Sequence, residues 1–221
     1  MRTLAALLIP TAVLLAGCGQ SDTASDGAGS TSSAGASASA GAGGSCTYTS
    51  TGQAAKKVDL PPSDPNPARS LTITTNRGPV KVTLNGSDTP CTAGSFTSLA
   101  RQGYFDGTKC HRLTTQGIFV LQCGDPTGSG SGGPGYSFAD ELSGQETYPA
   151  GTLAMANAGP DTNGSQFFLV YADTSLPPSY TVFGTIDAAG VKVVRAIAKA
   201  GTSDGGADGA PKQPVVIEAV K

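Results

Sequence analysis

The chain has no tryptophan, one histidine and two methionines, and charge of either sign is sparse: 14 lysines and arginines stand against 16 aspartates and glutamates, a formal net charge of −2. There is no basic run, so nucleic-acid binding has no electrostatic support. No two cysteines stand at the C-x₂₋₄-C spacing of a zinc site, and a lone histidine offers little help in building one; no metal and no cofactor is expected. No G-x-S-x-G nucleophile elbow occurs. Its nearest look-alike, GSGSGGPG at 128–135, lacks that spacing, lacks the Lys-Ser/Thr of a phosphate loop and precedes no helical pattern, so it reads as a flexible or tightly turned loop. Nothing suggests a coiled coil, and a monomer is expected. Long apolar runs are missing as well: residues 4–16 are too few to cross a membrane comfortably.

What is present begins with that short run. Arg2 gives a minimal positive region, LAALLIPTAVLLA (4–16) an apolar one, and LAGC (15–18) follows. Residues 1–17 therefore read as a secretory signal. LAGC resembles the bacterial lipoprotein box, which implies Cys18 as a lipidated residue. Acyl chains, at roughly 0.8 kcal/mol per buried CH₂, would hold the protein on the extracytoplasmic face of the bacterial cell membrane without a spanning helix. After Cys18, residues up to 45 are almost entirely Gly, Ala, Ser, Thr and Asp, too polar and small to offset ordering entropy. They read as a tether with a span of roughly 30 Å; a glycosylated or partner-binding stalk is the alternative. Residues 46–69 form an N-terminal extension, and 70–221 carry the folded domain.

With Cys18 set aside, Cys46, Cys91, Cys110 and Cys123 remain, an even number in an oxidising compartment, which points to two disulfides. Three pairings are possible. Cys110 and Cys123 flank an expected hairpin, which favours that pair and leaves Cys46–Cys91 to pin the start of the domain; sequence alone does not choose. In SLTITTNRGPVKVTLN (70–85), Leu71, Ile73, Val80, Val82 and Leu84 mark one face of a β-hairpin. Thr89 and Pro90 look like the N-cap and first position of a helix, striped by Ala93, Phe96, Leu99 and Ala100 and stopped by Gly103. Strands are expected at 108–114, 118–123, 152–156, 166–171, 180–186 and 214–220, and Val191, Val194, Ile197 and Ala198 stripe a second helix. The expected fold is mainly β, a closed antiparallel barrel with two helices covering its ends.

The stretch CHRLTTQGIFVLQCGD (110–125) holds the only histidine, beside a cysteine. Neighbours on a strand point to opposite faces. Cys110 and His111 would therefore diverge, which argues against a nucleophile and its base. If Arg112 faces a cleft, His111 faces away and is expected to be a packed histidine with a satisfied hydrogen bond.

MANAGPDTNGSQFFLVY (155–171), together with CHR at 110–112, FVLQCGD at 119–125 and YTVFG at 180–184, closely resembles the cyclophilins, a family of peptidyl-prolyl cis–trans isomerases. The resemblance runs from about Ser70 to the end of the chain and implies an eight-stranded β-barrel with two capping helices. By position, Arg112 matches the family's catalytic arginine. Phe119, Val120 and Gln122 match residues that line its proline pocket and hold the substrate backbone. Ala156, Asn157, Gln166, Phe168 and Leu176 match the rest of the cleft, and Gly130 and Ser131 would sit in the Gly-rich loop beside it. Met155, Phe167 and Phe183 are expected in the core.

The chemistry fits that inventory. An X–Pro bond turns slowly because amide resonance sets a barrier of about 20 kcal/mol. No covalent bond breaks, so neither nucleophile nor metal is required. A permanently charged guanidinium can donate to the nitrogen of the twisted amide, and an apolar pocket can grip the ring. The sequence also departs from the family. The spacing from Arg112 to Gln122 is two residues longer than is common, so TTQGI must bulge or lengthen a hairpin tip. A cleft tryptophan that contributes to cyclosporin binding in many relatives is replaced near Ser175, and Tyr180 stands where a histidine is common. Pro177-Pro178 stiffens this rim, and Cys123 replaces a usual glycine. The expected function is thus a lipid-anchored isomerase acting on proline-containing segments of secreted or envelope proteins. Its rivals are a module that holds such segments without turnover, as a chaperone or adhesin, a structural surface lipoprotein, and more distantly a hydrolase.

Overall fold

The computed structural model describes residues 45–221 apart from Gln53. The secretory signal, Cys18 and all but the last residue of the tether lie outside the described residues. Among those described, no helix is long and apolar enough to cross a membrane.

The extension contributes a short strand, β1 (Thr49–Ser50). Alternation in the next segment makes β2 (Ser70–Thr75) and β3 (Gly78–Leu84), paired from Ser70↔Thr83 to Thr75↔Gly78. Helix α1 (Pro90–Arg101) begins at its proline, as expected, but Thr89 does not cap it. The Thr89 hydroxyl donates backward to the Asn85 carbonyl (2.8 Å). Glu141 serves the open N–H groups instead, accepting from Cys91 N (2.9 Å), Thr92 N (2.8 Å) and Thr92 Oγ1 (2.6 Å). A carboxylate at this end also complements the helix dipole.

The run 108–114 divides into β4 (Thr108–Lys109) and β5 (Arg112–Thr114), because its halves pair with different neighbours. Cys110 N donates to Val215 O, whereas His111 N donates to Gln122 O. Then follow β6 (Val120–Cys123), β7 (Tyr136–Ser137), β8 (Thr152–Met155), β9 (Phe167–Val170) and β10 (Val182–Ile186). Helix α2 (Ala188–Lys199) is capped by Asp187, whose side chain accepts from Gly190 N at 2.7 Å. The loop after it carries β11 (Asp208–Gly209), and β12 (Val216–Val220) follows.

Ten strands form one antiparallel sheet in the order β11-β5-β6-β9-β8-β10-β3-β2-β12-β4, and β1 with β7 forms a separate ribbon. Among the described residues no ladder joins the edge strands β11 and β4. The expected closed eight-stranded barrel therefore gives way to a curled ten-stranded sheet with two helices. Two things change the count: the break at Cys110–His111, and β11, whose two residues carry no apolar pattern. Inside the curl, Phe96 meets Phe105, Phe167 and Phe183 with ring centroids 5.1, 5.3 and 5.2 Å apart. The disulfides are Cys46–Cys91, which ties the extension to α1, and Cys110–Cys123, which ties the β4–β5 junction to β6.

Candidate functional site

Alternation along three neighbouring strands decides which side chains meet the main core. Leu121 and Cys123 of β6, Leu153 and Met155 of β8, and Phe167 and Leu169 of β9 belong to it, as does Phe183 of β10. Val120, Ala154, Phe168 and Val170 take the opposite face and form a smaller apolar cluster with Tyr148. Half-buried Ile118, Ala156, Leu176 and Tyr180 pack around that cluster. It is the floor of a cleft.

Register brings a polar edge to this floor. Arg112 on β5 lies opposite Gln122 on β6, Gln122 opposite Phe168 on β9, and Phe168 opposite Ala154 on β8. One row across three strands thus runs from a cation to an aromatic ring, and Ala154 on a fourth extends it. The cleft holds about 160 Å³ and is lined by Arg112, Ile118, Val120, Gln122, Ala156, Asn157, Phe168, Leu176 and Tyr180. Tyr180 stands edge-on to Phe168, centroids 5.6 Å apart. The Tyr148 hydroxyl accepts from Tyr180 N (3.1 Å) and lies 3.2 Å from the Pro177 carbonyl, so it fastens the rim from below.

A second cavity, of about 610 Å³, shares Gln122, Ala156 and Asn157 with the first. Gly130, Ser131, Gln166 and the adjoining glycine loop wall it, together with Thr51 from the extension. A chain of hydrogen bonds connects the two cavities. Arg112 Nη1 donates to Gln122 Oε1 (3.3 Å), Gln122 Nε2 to Gln166 Oε1 (2.9 Å), and Gln166 Nε2 to the carbonyls of Gly130 (2.9 Å) and Gly132 (3.0 Å). Buried Asp125 sets the loop those carbonyls belong to. It accepts from Thr127 N and Oγ1, Ser129 Oγ, Gly130 N and Gly132 N. Burial alone would raise its pKa, but these donors together hold it down at about 2. Gly124 just before it is obligatory: at φ +92° an added Cβ would stand 2.2 Å from the Ser165 carbonyl oxygen.

The far side of Arg112 is occupied as well. Nε donates to Asp208 Oδ1 (2.8 Å) and Nη2 to Asp208 Oδ2 (2.6 Å). The hydrogen bond to Asp208 raises the arginine's pKa, and the same bond lowers that of Asp208, so both are fully charged near neutrality.

Of the residues singled out in the sequence, Arg112, Val120, Gln122, Ala156, Asn157, Phe168, Leu176 and Tyr180 meet at the first cavity, and Gly130, Ser131 and Gln166 at the second. Phe119 does not enter the cleft. Its ring packs on Tyr171 (5.9 Å) against the main core. Ile118 lines the pocket in its stead; the longer tip turns at Gly117 (φ +73°), and Ile118, Val120 and Gln122 then fall on one face. That alternation was available in the sequence. Tyr148, Asp125 and Asp208 carried no such signal.

His111 is packed as expected, but its hydrogen bond is poorly formed: neither ring nitrogen meets a partner in good geometry, although the Gln166 side chain lies close enough to act on the ring. The ring lies beside Gly130, where an added Cβ would meet it at 3.6 Å. The nearby Asp125 oxygens are already taken by the loop. Burial, reinforced by Arg112 and opposed by Asp125 and the Gln166 side chain, lowers its pKa from the usual 6.5 and so favours the neutral ring.

Residues 70–221 match the family model described as cyclophilin type peptidyl-prolyl cis-trans isomerase/CLD. The chain is 51% identical over 195 residues to a probable peptidyl-prolyl cis-trans isomerase B of Mycobacterium tuberculosis, a match covering 80% of this chain and 63% of that protein. It is 50% identical over 196 residues to the protein of the same description in Mycobacterium leprae, covering 80% and 66%. The chain thus spans slightly less than two thirds of the length of these relatives. Among solved structures, a cyclophilin type peptidyl-prolyl cis-trans isomerase of Cryptosporidium parvum superposes with a TM-score of 0.60 at 31% identity, covering 69% of this chain and 95% of that one. A further crystal structure of that protein, in the presence of the dipeptide Ala-Pro, gives a TM-score of 0.60 at 32% identity, covering 68% and 96%.

Proposed function

Since the chain belongs to the cyclophilin-type peptidyl-prolyl cis–trans isomerase family, we propose that it accelerates rotation about X–Pro bonds, and that Arg112 supplies the differential stabilisation of the twisted amide. The observation that carries this is the row from Arg112 through Gln122 to Phe168, which sets a guanidinium beside an apolar floor sized for one small ring. The proline ring rests on Val120, Phe168 and Leu176. Gln122 and the Asn157 backbone hold the flanking peptide, and the second cavity takes a side chain further along it. As the amide twists, resonance is lost and its nitrogen becomes a better acceptor. A guanidinium N–H then bonds more strongly to the twisted state than to either planar one, and only such a difference lowers the barrier. That the Cryptosporidium protein was crystallised in the presence of the dipeptide Ala-Pro is consistent with this substrate class.

The location belongs to the same reading. The chain works on the extracytoplasmic side of a bacterial membrane, carried there by residues 1–17 and held by lipid on Cys18, with secreted or envelope proteins as clients. Two disulfides in the described domain support an oxidising compartment.

The test is cis-to-trans relaxation of an Ala-Pro peptide by the oxidised full chain, parent against Arg112→Ala. The expected loss in kcat/KM is on the order of a hundredfold, the scale for removing one transition-state donor. Acceleration that survives the substitution would keep the isomerase and sink the arginine mechanism. A folded parent that binds the peptide without accelerating it would instead be a proline-peptide-binding module.

A further inference from the structure

Arg112 has five N–H donors on a rigid planar group. Two of them, on Nε and Nη2, run in parallel to the two oxygens of Asp208 at 2.8 and 2.6 Å. This is the fork-to-fork arrangement that fixes a guanidinium in its plane as well as its place. Nη1 reaches Gln122, which lines the cleft, whereas Asp208 does not line it. The guanidinium is therefore held by its back edge, with Nη1 as the edge left for the cleft.

Asp208 is itself placed by backbone. It sits on β11, in the loop between α2 and β12, and that strand lies against β5 with Asp208 opposite Thr114 and Gly209 opposite Leu113. Thr115 N donates to Ala207 O at 2.8 Å, which extends the same contact. The carboxylate thus comes from 96 residues further along the chain and is anchored on the very strand whose arginine it grips. The pair is too exposed to be there mainly for stability: the side chains keep 39% and 52% of their surface, and ion pairs in water contribute little.

We infer that Asp208 is a positioning residue for catalysis, clamping the Nε/Nη2 edge of Arg112 so that Nη1 is presented to the prolyl nitrogen. The inference rests on the role proposed above for the arginine. A free arginine side chain samples several rotamers, and a misplacement of about 1 Å can cost a hundredfold in rate. The clamp removes that search before substrate arrives.

The experiment uses the oxidised full chain and the Ala-Pro relaxation assay, with Asp208→Ala, Asp208→Asn and Asp208→Glu, and with Asp208→Ala also placed in Arg112→Ala. Asp208→Ala is expected to lower kcat on the order of tenfold or more with KM and thermal midpoint nearly unchanged. Asp208→Asn, which keeps one acceptor, should fall between, and Asp208→Glu should recover part of the loss. In the Arg112→Ala background, Asp208→Ala should cost nothing further, because the two residues act as one unit. Nuclear magnetic resonance gives a readout free of turnover: the Arg112 Nε proton should exchange slowly in the parent and rapidly in Asp208→Ala. Losses that add in the double variant, a kcat loss matched by a fallen midpoint, or a rapidly exchanging Nε proton in the parent would each overturn the inference. If Arg112→Ala is impaired while Asp208→Ala is fully active, this inference alone fails. If Arg112→Ala is as active as the parent, the arginine mechanism fails and takes it along.

Discussion

Phe167 and Phe168 are chain neighbours of the same type with opposite surroundings. The first is wholly buried against Phe96 and Phe105; the second floors the cleft beneath Tyr180. Phe167→Ala should cost about 3–5 kcal/mol, read from the urea midpoint. Phe168→Ala should show its main effect as a raised KM for the Ala-Pro peptide. A reversed pattern would mean that the two faces of β9 have been exchanged. Strand periodicity made this division legible in the sequence, and the same rule, applied from Gln122 backward, puts Ile118 in the pocket and Phe119 outside it. Family position pointed to Phe119 instead, because matching by position takes no account of the longer tip that turns at Gly117 and brings Ile118 to the cleft. His111 yields a prediction about pH. Burial lowers its folded pKa, so the unfolded chain binds that proton more readily, and stability is full above about 6.5 and falls as pH drops toward the folded value. Asp125, held by loop donors, and Asp208, paired with Arg112, both titrate below the ordinary value of 3.8. The urea midpoint should therefore decline as pH falls below about 6.5, and His111→Gln should flatten that slope. An unchanged slope would show that some other group titrates there.

Elements of the fold were visible in the sequence wherever their cause was local. Pro90 announced α1, and an apolar stripe announced α2. The cap of α1 was not visible, because Glu141 lies 50 residues beyond the Cys91 amide it serves. Nothing within one turn of the helix could have revealed it. Glu141→Gln should lower stability by about 1 kcal/mol, the usual worth of a cap, with little effect on isomerisation; a loss of activity without loss of stability would assign Glu141 some other task. β11 was hidden for a related reason. Asp208 and Gly209 carry neither alternation nor an apolar side chain, and they become a strand only through pairing with β5. The break between β4 and β5 is likewise decided by two partners far apart in the chain, Val215 just before β12 and Gln122 on β6.

At the scale of the molecule, fold class followed from many short alternating runs, but closure did not, since it depends on which edges meet. The two disulfides have unequal duties. Chain-entropy reasoning gives about 4 kcal/mol for the 45-residue separation of Cys46–Cys91 and about 3 kcal/mol for the 13-residue separation of Cys110–Cys123. Replacing Cys46 and Cys91 by serine should therefore lower the thermal midpoint more. Replacing Cys110 and Cys123 should do more damage to catalysis, because the bond lies two residues from Arg112; equal activity losses from the two pairs would refute that division. The placement of β12 has one further effect. It lies between β2 and β4, so a strand translated near residue 220 is needed to join strands translated near 73 and 108. The ribosome has already delivered the arginine and the whole apolar floor by then. The join between β2 and β4 through β12 therefore forms late in translation, after every residue of the cleft has already left the ribosome.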